Sequence, residues 1–228
     1  MTVAVVQFPG SNCDRDCMQA VRAVGGDAVL AWHKDVALPP STSAVILPGG
    51  FSYGDYLRTG AMAAHAPLMK AVKRFVDDGG PVLGICNGFQ ILCEAGILPG
   101  VLMQNAGGRF VCKTVSLVVE SNRKGLLRHV TRQQRLALPV AHGDGRFFAD
   151  DATLDRLEKN DEVAFRYVDV DANGDAALNG ARRAVAGILG GPRDNVLGLM
   201  PHPERRSEAR LGGIDGAPLM RALLEEAR

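Results

Sequence analysis

The sequence predicts an α/β fold, a doubly wound and mostly parallel sheet with antiparallel additions, and three observations carry that prediction. Through the first hundred residues, short aliphatic runs bounded by glycine, proline or polar residues alternate with stretches of helical spacing. That alternation is the pattern of buried parallel strands joined by crossover helices. In the later half, strand-like runs are separated by turn-like or charged stretches, as antiparallel neighbours are. Two glycine-rich segments, Leu47-Pro48-Gly49-Gly50 and Gly84-Ile85-Cys86-Asn87-Gly88, begin where strands end. Ligands bind at the carboxyl ends of strands in open sheets of this type.

Taken in order, residues 3–7, 28–32, 44–47 and 82–85 read as buried strands. Residues 14–24 read as a helix for which Asn12 is a candidate cap, placing Cys13 and Cys17 on one face. Residues 67–78 read as a second helix, stopped by Asp77-Asp78-Gly79-Gly80-Pro81. The sequence after Cys86 is compatible with a third. Residues 114–119, 136–140 and 163–168 read as antiparallel strands. Residues 182–189 and 195–200 read as a hairpin around Gly190-Gly191-Pro192, and residues 217–226 as a closing helix. With no internal repeat, low-complexity tract or linker, residues 1–228 are expected to form a single domain.

The bulk properties narrow the function. The 228 residues suffice for a well-buried core, and a formal charge of +1 gives no reason to expect a nucleic acid or an anionic membrane as partner. No apolar segment approaches membrane-spanning length and no basic leader opens the chain, so a cytoplasmic protein is expected. Five cysteines, an odd number, argue against a disulfide framework. Cys13 and Cys17 lack a second ligand pair at matching spacing, so no metal site is expected; a reduced, partly buried helix start is the simpler reading. Cys93 reads as packing. Neither a Walker pattern nor a Gly-x-Gly-x-x-Gly fingerprint follows the first strand, so ATP is not expected on this chain.

Cys86 carries the chemistry. An apolar strand delivers it to a turn flanked by Gly84 and Gly88, the spacing of a nucleophile elbow. A helix N-terminus there favours an anionic sulfur. The spacing indicates acyl transfer and leaves the substrate open. A thiol nucleophile needs a base and a group to orient the base. Of the five histidines, His202 lies in Met200-Pro201-His202-Pro203-Glu204. The prolines bias the segment to extended backbone, in which residues two apart share a side, so Glu204 could hold the imidazole. His142, in Ala141-His142-Gly143-Asp144-Gly145, either orients a polar ligand or caps a loop. His33 and His65 belong to no constellation, and His129, beside Arg128 and Arg132, reads as a solvated face. Backbone N–H groups at Gly50 and Asn87 could form an oxyanion hole.

At these residues the chain resembles the class I (triad) glutamine amidotransferases, whose glutaminase domains carry Gly-x-Cys-x-Gly-x-Gln and a distant His-Pro-Glu. Residues 84–90 and 202–204 match both. The segments at 8–16, 48–58, 141–147 and 198–205 resemble the branch of that family serving de novo purine (IMP) synthesis. The resemblance implies a flavodoxin-like fold and a catalytic set of Cys86, His202 and Glu204. Gly50 and Asn87 would supply the oxyanion donors, and Gln90, His142 and Asp144 would bind glutamine, with Asp144 toward the α-ammonium. It also implies that ammonia passes to an ATP- and Mg-dependent synthetase subunit that converts formylglycinamide ribonucleotide to formylglycinamidine ribonucleotide. A small bridging subunit would join the complex, and this subunit would hold no cofactor. Two departures stand out: Asp144 where the family more often has Glu, and no proline ahead of Asn179-Gly180. Rival readings are another class I amidotransferase, a cysteine peptidase or γ-glutamyl hydrolase on the same fold, and a non-catalytic interaction subunit.

Overall fold

The computed structural model describes residues 1–227. Its strands are β1 (Thr2–Gln7), β2 (Asp27–Trp32), β3 (Thr42–Leu47), β4 (Val82–Ile85), β5 (Val101–Met103), β6 (Val111–Val119), β7 (Arg135–His142), β8 (Arg146–Phe148), β9 (Val163–Tyr167), β10 (Val185–Gly190) and β11 (Val196–Leu199). The α-helices are α1 (Asp14–Ala23), α2 (Ala61–Ala64), α3 (Pro67–Asp77), α4 (Asn87–Glu94), α5 (Asp151–Lys159) and α6 (Ala217–Glu226). Nine strands form one sheet in the order β2-β1-β3-β4-β11-β10-β9-β6-β7. The pairings from β2 through β11 are parallel, and those from β11 through β7 are antiparallel.

Burial separates the two parts. Every residue of β4 and β11 is buried, as crossover helices require of strands covered on both faces. β7 instead alternates buried and half-buried positions, the period-2 pattern of a strand with one covered face. Helix α4 packs on β3, β4 and β11, so the elbow sits over the centre of the sheet. The two-stranded β5–β8 sheet lies outside the main one.

Several sequence expectations need correction. Asn12 does not cap α1: Cys13 occupies that position without a side-chain cap, and Asn12 Oδ1 accepts from Cys13 Sγ at 3.1 Å. The hairpin strand starts only at Val185, because residues Arg182–Ala184 form a 3-10 turn with Arg183 at positive φ. β6 and β7 extend beyond the expected 114–119 and 136–140, pairing from Val111–His142 to Val118–Arg135. Helix α5 is absent from the sequence expectation, although Asp150 caps it by accepting from the Thr153 N–H at 2.7 Å. All five cysteines are free thiols. Among the described residues, no helix is long and apolar enough to cross a membrane.

Candidate active site

The parallel register places Cys86 and His202 together. β4 and β11 are neighbours, and the Cys86 N–H donates to the Leu199 carbonyl at 2.8 Å, so both residues leave the sheet at one edge. Cys86 sits at φ 51°, ψ −104°, an uncommon backbone for a non-glycine residue and a mark of a strained elbow. The flanking glycines make it possible. A Cβ at Gly88 would lie 1.9 Å from the Leu47 carbonyl oxygen, and one at Gly84 would lie 2.4 Å from Leu92 Cδ1. Cys86 is 5% exposed, unlike the fully enclosed Cys17, whose thiol pKa burial pushes well up.

His202 and Glu204 are both buried, with Nδ1 and Oε1 2.7 Å apart. The pairing does not arise from extended backbone throughout. His202 is extended, but Pro203–Arg206 is a 3-10 turn that folds Glu204 back onto the ring. The His202 N–H donates to the Pro139 carbonyl at 2.8 Å, tying the loop to β7. Burial opposes a charged imidazole. The Glu204 carboxylate, and then the Cys86 sulfur, outweigh it and raise the His202 pKa well above the ordinary histidine range. His202 Nε2 is buried without a partner among the described residues. A Cβ at Gly49 would stand 2.7 Å from the ring, so that glycine makes room for the base.

The strand end at Gly50 lies against the loop after β1 through a bridge to Ser11. The Phe51 N–H is already committed to the Gly10 carbonyl at 3.0 Å, whereas Gly50 lines the cavity beside Cys86. Asn87 heads α4, and both ends of its amide are engaged: Nδ2 donates to Gln90 Oε1 at 2.9 Å and Oδ1 accepts from the Ser52 N–H at 3.3 Å. This leaves its backbone N–H, at the helix start, as the group to offer an oxyanion.

A cavity of about 180 Å³ opens beside the thiol, lined by Gly50, Phe51, Asp55, Thr59, Cys86, Gln90, Phe110 and residues 141–144. It thus gathers Cys86, Gly50, Gln90, His142 and Asp144 from three parts of the chain. Gln90 braces the loop, its Nε2 donating to the Asp144 carbonyl at 2.6 Å. His142 Nδ1 lies 3.1 Å from Asn105 Oδ1. Asn105 Nδ2 donates to the Arg109 and His142 carbonyls, so its Oδ1 is the acceptor facing the ring and the Gly145 N–H. His142 therefore carries its proton on Nδ1, and Nε2 is a bare acceptor, buried and without a partner among the described residues. Burial, then the neighbouring His202, lowers the His142 pKa to about 4.

Sequence reasoning missed four participants. Asn105 is a loop residue with no motif around it. Asn179 braces the same loop from the segment noted for its missing proline, Nδ2 donating to the Gly145 carbonyl at 2.8 Å. Asp55 lines the cavity with its Oδ1 buried and unpartnered among the described residues. Cys13, read as a helix start, is gathered with His202 and Glu204 so that one ligating atom of each lies within 4.8 Å of the others. Arg205 Nη2 stands 3.0 Å from that sulfur, and Arg205 Nε is 3.6 Å from Asp16 and 4.0 Å from Glu204. A fixed guanidinium against the sulfur makes this cluster a poor match for a metal cation.

A thiol elbow beside a buried His–Glu pair, on a sheet of this order, fits the glutamine amidotransferase class. A family model described as "CobB/CobQ-like glutamine amidotransferase domain" matches residues 1–211. Proteins named "Phosphoribosylformylglycinamidine synthase subunit PurQ" from Novosphingobium aromaticivorans and Rhodospirillum rubrum are 53% and 51% identical to this chain. The alignments cover 98% of this chain and 96% of the first relative, and 99% of both for the second. The structure of PurLQS from Thermotoga maritima contains a similar chain, with TM-score 0.87, 38% identity, and coverage of 100% of this chain and 99% of that one. A glutamine amidotransferase from Thermotoga maritima shares the fold alone, with TM-score 0.61 at 18% identity over 100% of this chain and 97% of that one. The chain belongs to the PurQ family of glutamine amidotransferases.

Proposed function

We propose that this chain hydrolyses glutamine to glutamate and ammonia with Cys86, His202 and Glu204, as the glutaminase subunit of phosphoribosylformylglycinamidine synthase. The observation that supports the assignment most strongly is the buried His202–Glu204 pair, 2.7 Å apart, beside the strained elbow of Cys86, which itself lines the cavity. The Cys86 sulfur attacks the carboxamide carbon of glutamine, and the Gly50 and Asn87 N–H groups stabilise the resulting oxyanion. As the C–N bond breaks, the His202 imidazolium gives its proton to the departing ammonia, leaving a glutamyl thioester on Cys86. His202 then takes a proton from water as that water attacks the thioester, and glutamate leaves as the sulfur regains its place. Glu204 holds the imidazole by Nδ1 and stabilises its charged form; it makes no bond to substrate.

Around that centre, His142 presents its bare Nε2 as an acceptor, Gln90 keeps the loop in place, and Asp144 faces the α-ammonium. The ammonia goes to a synthetase subunit that uses ATP and Mg to convert formylglycinamide ribonucleotide to the amidine, with a small bridging subunit completing the complex. This subunit carries no cofactor of its own in that scheme. The test is Cys86→Ala in the reconstituted complex. Glutamine-dependent amidination should fall by about 10⁴-fold or more, as loss of a covalent nucleophile does. Ammonia-dependent amidination should continue at the wild-type rate. Near wild-type use of glutamine by the variant would overturn the assignment.

A further inference from the structure

The segment between β3 and α2 is held in an unusual shape. Tyr53, Asp55 and Leu57, none of them glycine, have φ of 55°, 56° and 68°. Left-handed backbone at non-glycine residues is strained and persists where surrounding contacts enforce it. Those contacts are present. The Tyr53 hydroxyl is 2.7 Å from Nδ1 of the buried His33, the Tyr53 N–H donates to the Pro9 carbonyl at 2.7 Å, and the Ser52 N–H donates to Asn87 Oδ1 at 3.3 Å. The strain sets one carboxylate, Asp55, into the lining of the cavity beside Cys86, where its Oδ1 is buried and has no partner among the described residues.

Asp55 shares that lining with Asp144, and the titratable groups there are these two carboxylates, Cys86 and His142. Among the described residues, no lysine or arginine lines the cavity. Arg58, three residues on from Asp55, is held by Glu94. Burial, and then the Asp144 charge, push the Asp55 carboxyl up to about 6. Two carboxylates in one small cavity, one of them with an unanswered oxygen, call for a cation of small size that forms several hydrogen bonds. Free glutamine carries such a group, its α-ammonium.

We infer that Asp55 joins Asp144 in a two-carboxylate seat for the α-ammonium of glutamine, making Asp55 a specificity-determining residue for substrates with a free amino group. The inference rests on the glutaminase reading given above. A neutral amide nitrogen, as in a peptide-linked glutamine, brings no charge to the seat and leaves both carboxylates desolvated and uncompensated. In the empty site Asp55 holds a proton near pH 6 and below; the incoming ammonium displaces it to solvent. The KM for glutamine should therefore rise as pH falls through about 6, where protonation removes one of the two negative charges.

The experiment measures glutamine-dependent amidination by the reconstituted complex with Asp55→Asn and Asp55→Glu. Asp55→Asn should raise the KM for L-glutamine about 10- to 100-fold, with kcat changed less than about threefold. Its KM should lose the rise on acidification, and inhibition by 4-carbamoylbutanoate, which lacks the ammonium, should be at least as strong as in the wild type, because Asn leaves one fewer charge uncompensated. Asp55→Glu should restore most of the affinity, which also answers the case in which Asp55→Asn fails to assemble. An unchanged KM, or a fall in kcat at constant KM, would overturn the seat. Failure of the wild-type complex to use glutamine, or glutamine use by Cys86→Ala, would instead remove the glutaminase reading itself.

Discussion

At the carboxyl ends of β3, β4 and β11, position is set by the backbone. Gly50, Cys86 and the Asn87 N–H stand where the buried strands end, and His202 follows β11 by three residues. The clearances are close to atomic contact: Gly88 against the Leu47 carbonyl, and Gly49 against the His202 ring. At the end of β7 the arrangement differs. There a loop, 143–145, is held by side-chain amides from elsewhere in the chain, through Gln90, Asn105 and Asn179. In the proposed reaction the parallel half holds the atoms that exchange bonds, and a polar network at the end of β7 holds the loop that carries Asp144 toward the substrate, facing Asp55 from the segment after β3. The first arrangement tolerates almost no displacement; the second can be loosened one hydrogen bond at a time.

This contrast makes opposite kinetic predictions for the two regions. On the parallel side, Glu204→Gln should lower kcat by about 10²- to 10³-fold while KM stays near its wild-type value. The Glu204 carboxylate is what overcomes the burial of His202, so its loss lowers the imidazole pKa. As pH rises, the imidazolium of the variant is then lost earlier, and the alkaline limb of the pH–rate profile should move to lower pH. An unmoved profile with an unchanged rate would show that Glu204 does not govern the base.

On the antiparallel side, Asn105→Ala removes the acceptor shared by His142 Nδ1 and the Gly145 N–H. The expected result is a rise in the KM for glutamine of about 5- to 20-fold, together with about 1–3 kcal/mol of lost stability from buried donors left unpaired. Its kcat should change little. A variant that lost kcat and kept KM would erase the distinction between the two regions.

Much of the parallel half was legible in the sequence because its signals are local. Glycine spacing around Cys86 reports a steric requirement, and short aliphatic runs between turn residues report buried strands. Spacing reports the His202–Glu204 pair but not its backbone cause: a 3-10 turn, not an extended segment, brings the carboxylate to the ring. The recognition residues were less legible because their roles depend on contacts across long stretches of chain. Asn105 reaches His142, 37 residues away, and nothing in its neighbours signals that. Asp55 takes a backbone conformation that hydrophobic periodicity cannot report. Cys13 read as a simple helix start because its neighbours His202 and Arg205 arrive from the far end of the chain.

Cys13 also supplies the sharpest control on the central claim, since it is a second buried thiol close to the same imidazole. The direct measurement is acid quenching of the working complex with glutamine, followed by peptide mass spectrometry to locate the glutamyl thioester. The account predicts the glutamyl group on Cys86 in the wild type and its absence from Cys86→Ala. A glutamyl group on Cys13, or an acyl-enzyme that survives the loss of Cys86, would contradict it.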